Sequence, residues 1–416
     1  MLSFLTSLDG ASLVAMFWYL IFFEGPRFLI ANFTAGFLRK DSAKATGWPC
    51  KISSVSIVLP CHNGASGIVK TVTSLREQTF RNLQIVVVDD GSTDNSASIA
   101  RQMKEQGRID VLVSTTLRGG KSAALNLGLR FCTGDVIVSA DVDTTFDRDA
   151  IEAIVAAFDD PSTGAVGGNI GVRNAGASVL ANMQAIEYAV GISLGRRVSV
   201  MLGILPVVSG AFAAFRREAL DSVGGWDAGP GEDTDLTMKL RRAGWRLAFA
   251  AEAWALTDAP STMQALIQQR LRWESDLARL NLRKFRMLLS PWAPHVSLRD
   301  TTNTLDVLIF SIVLPFAFVL YVVWLLAAYG AFAVVILMMT GFAYSLIGTF
   351  SFLVAITLSE RASTARLLPY ALGYGFYCTC VLHPIRVWAF VQELAFDRSY
   401  HSTFVPTKVL SQMWRF

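Results

Sequence analysis

Several short stretches carry residue types that do chemistry when they are brought together. Asp141-Val142-Asp143 sets two carboxylates two residues apart, and on an extended segment that spacing turns both to one side. Paired oxygen ligands suit Mg²⁺ or Mn²⁺, and a cation there steadies a departing diphosphate. Gly231-Glu232-Asp233-Thr234-Asp235 offers carboxylates that can take a proton from an attacking hydroxyl. The same acids suit the start of a helix on charge grounds alone, since an apolar helical pattern follows over 236–247. Arg118-Gly119-Gly120-Lys121 puts a flexible loop and an ammonium just before a helix, where phosphate is readily met, although full P-loop spacing is lacking. Gln269-Arg270-Leu271-Arg272-Trp273 adds a cationic fork for diphosphate and an aromatic face on which a sugar ring stacks or which anchors at a membrane interface.

These stretches need strands to hold them. Residues 54–60 and 83–90 are β-branched runs closed by proline or polar residues, and 109–114 and 135–140 repeat the pattern with helical patterns between. The alternation predicts a mostly parallel, doubly wound α/β sheet, in which ligands bind beyond the carboxyl ends of the strands. The ends at Pro60-Cys61-His62-Asn63-Gly64, Asp89-Asp90-Gly91 and Asp141–Asp143 should then converge. Carboxylates in such places accept hydrogen bonds from a base or ribose. Asp-Gly-Ser-Thr is equally ordinary turn chemistry.

The 416 residues are 52% apolar and 17% charged, more apolar than soluble domains usually are. The excess lies toward the two ends. Residues 307–359 contain no Asp, Glu, Lys or Arg, which is enough for two membrane crossings of about 20 residues each, with Tyr329-Gly330 as the turn. A third crossing is expected over 367–390, though Pro369, Gly373, Gly375 and Pro384 interrupt it and Arg386 must face protein or an interface. Residues 10–23, with 3–8 before them, make one crossing at the amino side. No Lys or Arg precedes that run, which argues against a cleaved signal peptide. Arg27, Arg39, Lys40, Lys44 and Lys51 follow it and set the central domain in the cytoplasm, in a multi-pass protein of the cell membrane. Residues 273–298 mix leucines with Arg279, Arg283, Lys284 and Arg286, as helices along the cytoplasmic interface do. The net charge of +4 is spread out and excludes a concentrated nucleic-acid-binding stripe. The five cysteines, Cys50, Cys61, Cys132, Cys378 and Cys380, read as reduced or buried packing residues.

The order of the motifs, more than any one of them, resembles the family-2 glycosyltransferases with a GT-A fold. It runs through 55–60, 86–94, 120–126, 141–143, Ser209-Gly210-Ala211-Phe212, 231–235 and 269–273. With apolar spans on both flanks the chain looks most like the processive synthases of chitin, poly-N-acetylglucosamine, hyaluronan or cellulose type. That resemblance implies a Rossmann-like nucleotide-sugar domain over 50–272 inserted between transmembrane helices. Residues 1–38 would form an N-terminal span and interfacial segment, 273–300 interface helices, 303–392 about three membrane helices, and 393–416 a tail. It implies an inverting, processive transferase that uses UDP-N-acetylglucosamine or UDP-glucose, with a growing glycan as acceptor and the lipid bilayer as surroundings. A non-processive enzyme adding one sugar to a membrane lipid is the alternative.

Carried over residue by residue, Asp89 and Asp90 would hold the uridine, with Pro60, Asn63, Lys121, Gln269 and Arg272 also on the donor. Asp141 and Asp143 would take diphosphate and metal. Asp233 would be the general base, with Glu232 or Asp235 as substitutes, and Ser209, Gly210 and Trp273 would meet the acceptor. Gln184-Ala185-Ile186-Glu187-Tyr188 matches related synthases in place, without a role. Gly64 stands where many relatives have Glu, and Glu274-Ser275-Asp276 replaces a small, Gly-containing stretch. Residues 403–408 resemble a gating loop, with Phe404, Thr407 and Lys408 as its candidates. Such a loop must be cytoplasmic, whereas three carboxyl-side spans would leave the tail outside.

Overall fold

The computed structural model describes residues 9–37, 52–290, 292, 298–359, 361–401 and 405–413. Between a first helix, α1 (Gly10–Ala35), and a carboxyl-side set of helices lies one sheet of eight strands. Its centre is made by β1 (Val55–Cys61), β2 (Leu83–Asp90) and β4 (Val136–Ala140), largely apolar runs with charge only at the end of β2, which are buried almost throughout, as strands covered by helices on both faces must be. They pair in parallel in the order β2-β1-β4, and β3 (Val111–Thr115) adds in parallel beyond β2. Helices α2 (Ile68–Arg76), α3 (Ser96–Glu105) and α4 (Lys121–Leu129) connect them.

Beyond β4 only the β6–β8 pairing keeps to the expected, mostly parallel sheet. After β5 (Thr145–Phe146), α5 (Ala150–Ala156) and β6 (Thr163–Val172), the chain passes through α6 (Val179–Glu187) and α7 (Gly195–Met201) to β7 (Phe212–Arg216). Two further helices, α8 (Arg217–Val223) and α9 (Glu232–Arg242), lead to β8 (Arg246–Thr257). The sheet order is β3-β2-β1-β4-β7-β6-β8-β5, with β4–β7, β7–β6 and β8–β5 antiparallel. The sheet is therefore mixed. The short, alanine-rich β7 carries too weak a strand pattern to be read from sequence, and it turns the second half around.

Each face has its own core. Ile57, Ile85, Val87 and Val138 pack against Ile68 and Val72 of α2, Met103 of α3 and Ile151 of α5. Val58, Val86, Val88 and Ile137 pack against Leu125 of α4, Leu220 of α8 and Leu236 of α9. Each such fully buried aliphatic side chain contributes about 1.5–3 kcal/mol relative to exposure. Gly128 lets α4 press onto β1, since a Cβ there would lie 2.5 Å from Val58. That contact fixes where the first residue of α4, Lys121, can reach.

After the sheet, α10 (Met263–Arg279) is started by Thr262, whose hydroxyl accepts from Ala265 N. Then come α11 (Leu298–Val307), α12 (Leu314–Tyr329), α13 (Ala333–Leu358), α14 (Ala371–Tyr377), α15 (His383–Phe396) and α16 (Thr407–Gln412). The described residues hold two helical stretches long and apolar enough to cross a membrane, Gly10–Ala35 and Asp300–Leu358. The second is 59 residues long and folds back at Gly330, so that Tyr321 Oη comes 3.4 Å from Thr340 Oγ1. α1 lies against both arms: Tyr19 donates to Leu314 O at 3.0 Å and Asn32 Nδ2 to Ser351 Oγ at 2.8 Å.

The expected third crossing, 367–390, is not among these apolar stretches. His383 and Arg386 interrupt it, and Arg386 faces protein, with Nε 2.8 Å from Glu274 Oε1 on α10. Both flanks of that segment also touch the sheet domain's side. Arg361 pairs with Asp147, and Asp397 lies 2.6 Å from Arg283, whose neighbour Lys284 is bound to Asp227 and Asp235. Arg283 and Lys284 after α10 thus meet protein carboxylates, while Arg286 is exposed. Arg279 is buried and donates to Pro230 O.

Candidate active site

A cleft of about 250 Å³ opens beyond the carboxyl ends of β1, β2 and β4. Pro60, Asp90, Lys121, Asp141 and Asp143 line it as sequence reasoning expects, and His62, Arg118, Ala124 and Val142 join them. His62 was within reach of that reasoning, because it sits in the strand-end segment with Pro60. Its Nδ1 lies 2.9 Å from Asp90 O.

Asp89 and Asp90 part company. Side chains alternate across a strand, so Asp90 shares the α4 side with Val88, while Asp89 shares the opposite side with Val87. Asp90 accepts from Gly119 N at 2.6 Å and Gly120 N at 2.7 Å, tying the glycine loop to the strand end. Asp89 accepts from Ser92 N at 3.3 Å and braces the following turn. Asn63, at φ 54°, is likewise engaged in that turn: its amide oxygen accepts from Thr93 N at 2.8 Å. Neither Asp89 nor Asn63 lines the cleft. At Gly64 a Cβ would meet Val142 Cγ1 at 2.6 Å, so the Glu of many relatives does not fit here without moving Val142.

β4 stops at Ala140, so Asp141 and Asp143 are not on a strand as their spacing suggested. They belong to a turn in which Thr144 N donates to Asp141 O at 3.1 Å. α2 fixes the turn from behind, with Thr71 Oγ1 donating to Val142 O at 2.7 Å. Burial, and then the neighbouring charge of Asp141, push the Asp143 carboxyl above its ordinary range. Among the described residues no three His, Cys, Asp or Glu side chains are grouped as a metal shell. Asp141 and Asp143 nonetheless form a donor set of hard oxygens. The ammonium of Lys121, 2.7 Å from Asp141 Oδ1, marks the spot as one where positive charge is held.

Lys121 also reaches Glu232 Oε1, at 2.9 Å, and so bridges the turn after β4 to the start of α9. Burial pulls its ammonium down, but the carboxylates of Asp141 and Glu232 outweigh that and hold it above its usual value. Glu232 in turn is held ionised. Burial alone would raise it, and Lys121 brings it below the usual range.

Asp233 is placed differently from its two acidic neighbours. Its Oδ2 accepts from Gly210 N at 3.1 Å and its Oδ1 from Thr234 N at 2.7 Å. Burial and then Glu232 push its carboxyl upward, the condition of a group that can take a proton near neutral pH. Asp235 is spoken for by Lys284 at 2.6 Å. Ser209 and Gly210 lie just before β7, and a Cβ on Gly210 would come 2.9 Å from Lys121 Nζ and 3.2 Å from Glu232 Oε1. Only the absent side chain leaves room for the bridge.

α10 brings up the remaining group. The Gln269 amide oxygen is buried without a hydrogen-bond partner among the described residues. Arg272 lies close enough to Glu232 and Asp276 to pull on both carboxyls, but at Asp276 burial outweighs it and leaves the carboxyl raised. Trp273 is 39% exposed, with the Arg270 guanidinium over its ring. Glu274 meets Arg386 and Asp276 packs under Gly231, so the two acids that depart from several synthases secure α10 to α15 and to the start of α9. In the tail, Pro406 lies against Gly120, and Met413 against Gly229. Thr407 and Lys408 are exposed on α16, and Phe404 lies outside the described residues.

Residues 56–224 match the family described as Glycosyl transferase family 2. Poly-beta-1,6-N-acetyl-D-glucosamine synthase of Staphylococcus aureus (strain COL) is 31% identical over 237 residues, covering 56% of this chain and 57% of that protein. The synthase of the same name from Staphylococcus epidermidis is 30% identical over the same coverage. The chain thus spans a little over half the length of these curated relatives. Among solved structures, the mannosyltransferase PcManGT from Pyrobaculum calidifontis, in complex with GDP-Man and Mn²⁺, superposes with a TM-score of 0.66 at 22% identity, covering 92% of this chain and 97% of that one. The fold is GT-A-like.

Proposed function

We propose that this chain, which carries a family 2 glycosyltransferase domain, is an inverting hexosyltransferase that extends a β-linked polysaccharide from a UDP-sugar. The observation that carries the reading is the Lys121 bridge. One ammonium joins Asp141, at the donor cleft, to Glu232, beside the buried Asp233. Donor phosphate and proton acceptor then sit at opposite ends of one small site, as in-line displacement at an anomeric carbon requires.

In this reading the cleft between Pro60 and Asp143 takes the nucleotide diphosphate. Asp141 and Asp143 would hold Mg²⁺ or Mn²⁺, which when bound supplies charge to offset the leaving diphosphate. Lys121 and Arg272 add fixed positive charge on the same side. Asp233 takes the proton of the acceptor hydroxyl as it attacks, while Glu232 stays ionised on Lys121. Trp273 stacks the acceptor sugar and Gln269 contacts the donor. The relatives' printed activity favours N-acetylglucosamine as the sugar, with UDP-glucose as the other candidate. In this reading the enzyme sits in the cell membrane with its catalytic domain cytoplasmic and the glycan leaves through or beside the apolar helices, which the two helical stretches long and apolar enough to cross a membrane support. The tail, against the Gly120 loop, is positioned to cover the donor.

Purified protein in lipid, offered a panel of labelled nucleotide sugars with Mg²⁺ or Mn²⁺, tests this. A high-mass labelled product from UDP-N-acetylglucosamine is expected. A single-sugar lipid product would overturn polymerisation in favour of lipid glycosylation. Asp233→Asn should lower transfer by about 10²–10⁴-fold with donor binding kept, and retained transfer would remove Asp233 from the role of base.

A further inference from the structure

Two features have no part in that chemistry: the segment Gln184–Tyr188, and Arg270 inside the Gln269–Trp273 stretch. The structure joins them. Glu187, the last residue of α6, grips Arg270 at two points, with Oε1 2.7 Å from Nη1 and Oε2 accepting from Nη2 at 2.9 Å. Tyr377 of α14 donates to the same Oε2 at 3.2 Å. Arg270 is 8% exposed, and its guanidinium carbon stands 4.7 Å from the centre of the Trp273 indole, one helical turn further along α10.

The geometry has a direction. A two-point guanidinium–carboxylate contact fixes the plane of the fork, and a fork fixed over an aromatic face fixes the ring beneath it. Glu187 belongs to the sheet domain and Tyr377 to α14 in the carboxyl-side set of helices, so the indole is registered to both. Stability alone is a poor reason to keep such a pair, because burying two charges costs about as much as their attraction returns. Next to it on α10, Leu271 meets Ile385 and Ala389 of α15 through apolar contacts. What an apolar contact could not supply at Arg270 is a rigid planar cation over Trp273.

We propose that Arg270, fixed by Glu187 and Tyr377, is a positioning residue that sets Trp273 as the platform for the acceptor sugar. The segment ending in Glu187 and Tyr188 thereby controls acceptor register. This rests on the reading of Trp273 as an acceptor contact. Full-length protein in lipid is assayed with UDP-N-acetylglucosamine and a short β-linked N-acetylglucosamine oligomer, varying each in turn. Glu187→Gln and Arg270→Gln should each raise the acceptor KM about tenfold while the donor KM stays within about twofold. The double variant should be no worse than either single, since both remove one interaction. Arg270→Lys, which keeps the charge but loses the planar two-point fork, should leave the acceptor KM raised about as in Arg270→Gln, and recovery of the parental value by Lys would overturn the positioning by a fixed plane.

A fall in kcat with both KM values raised together and a lowered Tm would show a clamp on the fold only, and would overturn the proposal. Trp273→Ala separates the two failures. An unchanged acceptor KM in that variant overturns the acceptor role of Trp273 itself. A raised KM there with parental values in Glu187→Gln and Arg270→Gln overturns the positioning alone.

Discussion

Lys121, Gly210, Glu232 and Asp233 form a group in which each residue's identity is set by its neighbours. A methyl on Gly210 would come 2.9 Å from Lys121 Nζ, and because that atom ends a flexible chain the fold can absorb the intrusion. It can do so only by moving the ammonium away from Glu232 or Asp141. Gly210→Ala should therefore leave Tm within about 2 °C while kcat falls about tenfold or more, as thermal melting and initial rates would show. Asp233 gives a second prediction. Its folded pKa is raised by burial and by Glu232, so its ionised form is lost as pH falls through a value above the ordinary carboxylate range of about 3.9. The acid limb of kcat/KM should lie above that value, and Glu232→Gln, which removes a neighbouring negative charge, should move it downward. At this scale much was legible in the sequence. Asp141, Asp143 and Lys121 line the cleft, and Asp233 lies at Gly210 beside Glu232, as their motifs predict. That Asp89 and Asn63 brace the following turn was not legible, because adjacency in sequence hides which face of a strand or turn a side chain takes. Lys284, which occupies Asp235, sits 49 residues away, and nothing local signals it.

Helices α9 and α10 meet where Asp276 packs under Gly231, with Asp276 Cβ 3.0 Å from the position of a Gly231 Cβ. Gly231 has φ 71° and starts the helix that carries Glu232 and Asp233, so this contact sets those two carboxylates relative to the Gln269–Trp273 face. Burial pushes the Asp276 carboxyl up to about 8 against the pull of Arg279 and Arg272. An acid with a raised folded pKa holds its proton more tightly when folded. Its contribution is whole below the unfolded pKa of about 3.9 and is lost as pH rises toward about 8. Asp276→Asn should therefore flatten the decline of Tm between about pH 4 and pH 8, and an unchanged pH profile in the variant would count against a protonated Asp276. The elements themselves were largely readable: β1, β2, β3 and β4 fall within a few residues of their expected bounds. β7 was not, because Phe-Ala-Ala-Phe-Arg reads as neither strand nor helix until β4 and β6 flank it. Without it the sheet looks parallel to its edge.

The whole molecule turns on which side its last described segment lies. Positive residues and the apolar runs put the domain on one face, and a count of three spans after it put the tail on the other. Periodicity and charge cannot tell a crossing helix from one packed against protein, and 367–390 fits both descriptions, with Arg386 facing protein at Glu274 as a crossing there would require. Contacts with the domain bracket that segment, from Arg361 on Asp147 to Asp397 on Arg283. Beyond it, Pro406 rests on the glycine loop that carries Lys121, and Met413 rests on Gly229 just before α9. A tail held at both the Gly120 loop and the residues before α9 would, on the proposed function, share the domain's face. An epitope appended after Phe416 should then be removed by protease added to the domain-bearing face of sealed vesicles and be protected from protease on the opposite face. Removing residues 405–416 should raise the donor KM more than the acceptor KM, because the contact at Gly120 adjoins the cleft between Pro60 and Asp143 rather than Trp273. Protection of the epitope on the domain's face would break this arrangement, since no other placement lets Pro406 reach the loop whose amides are tied to Asp90.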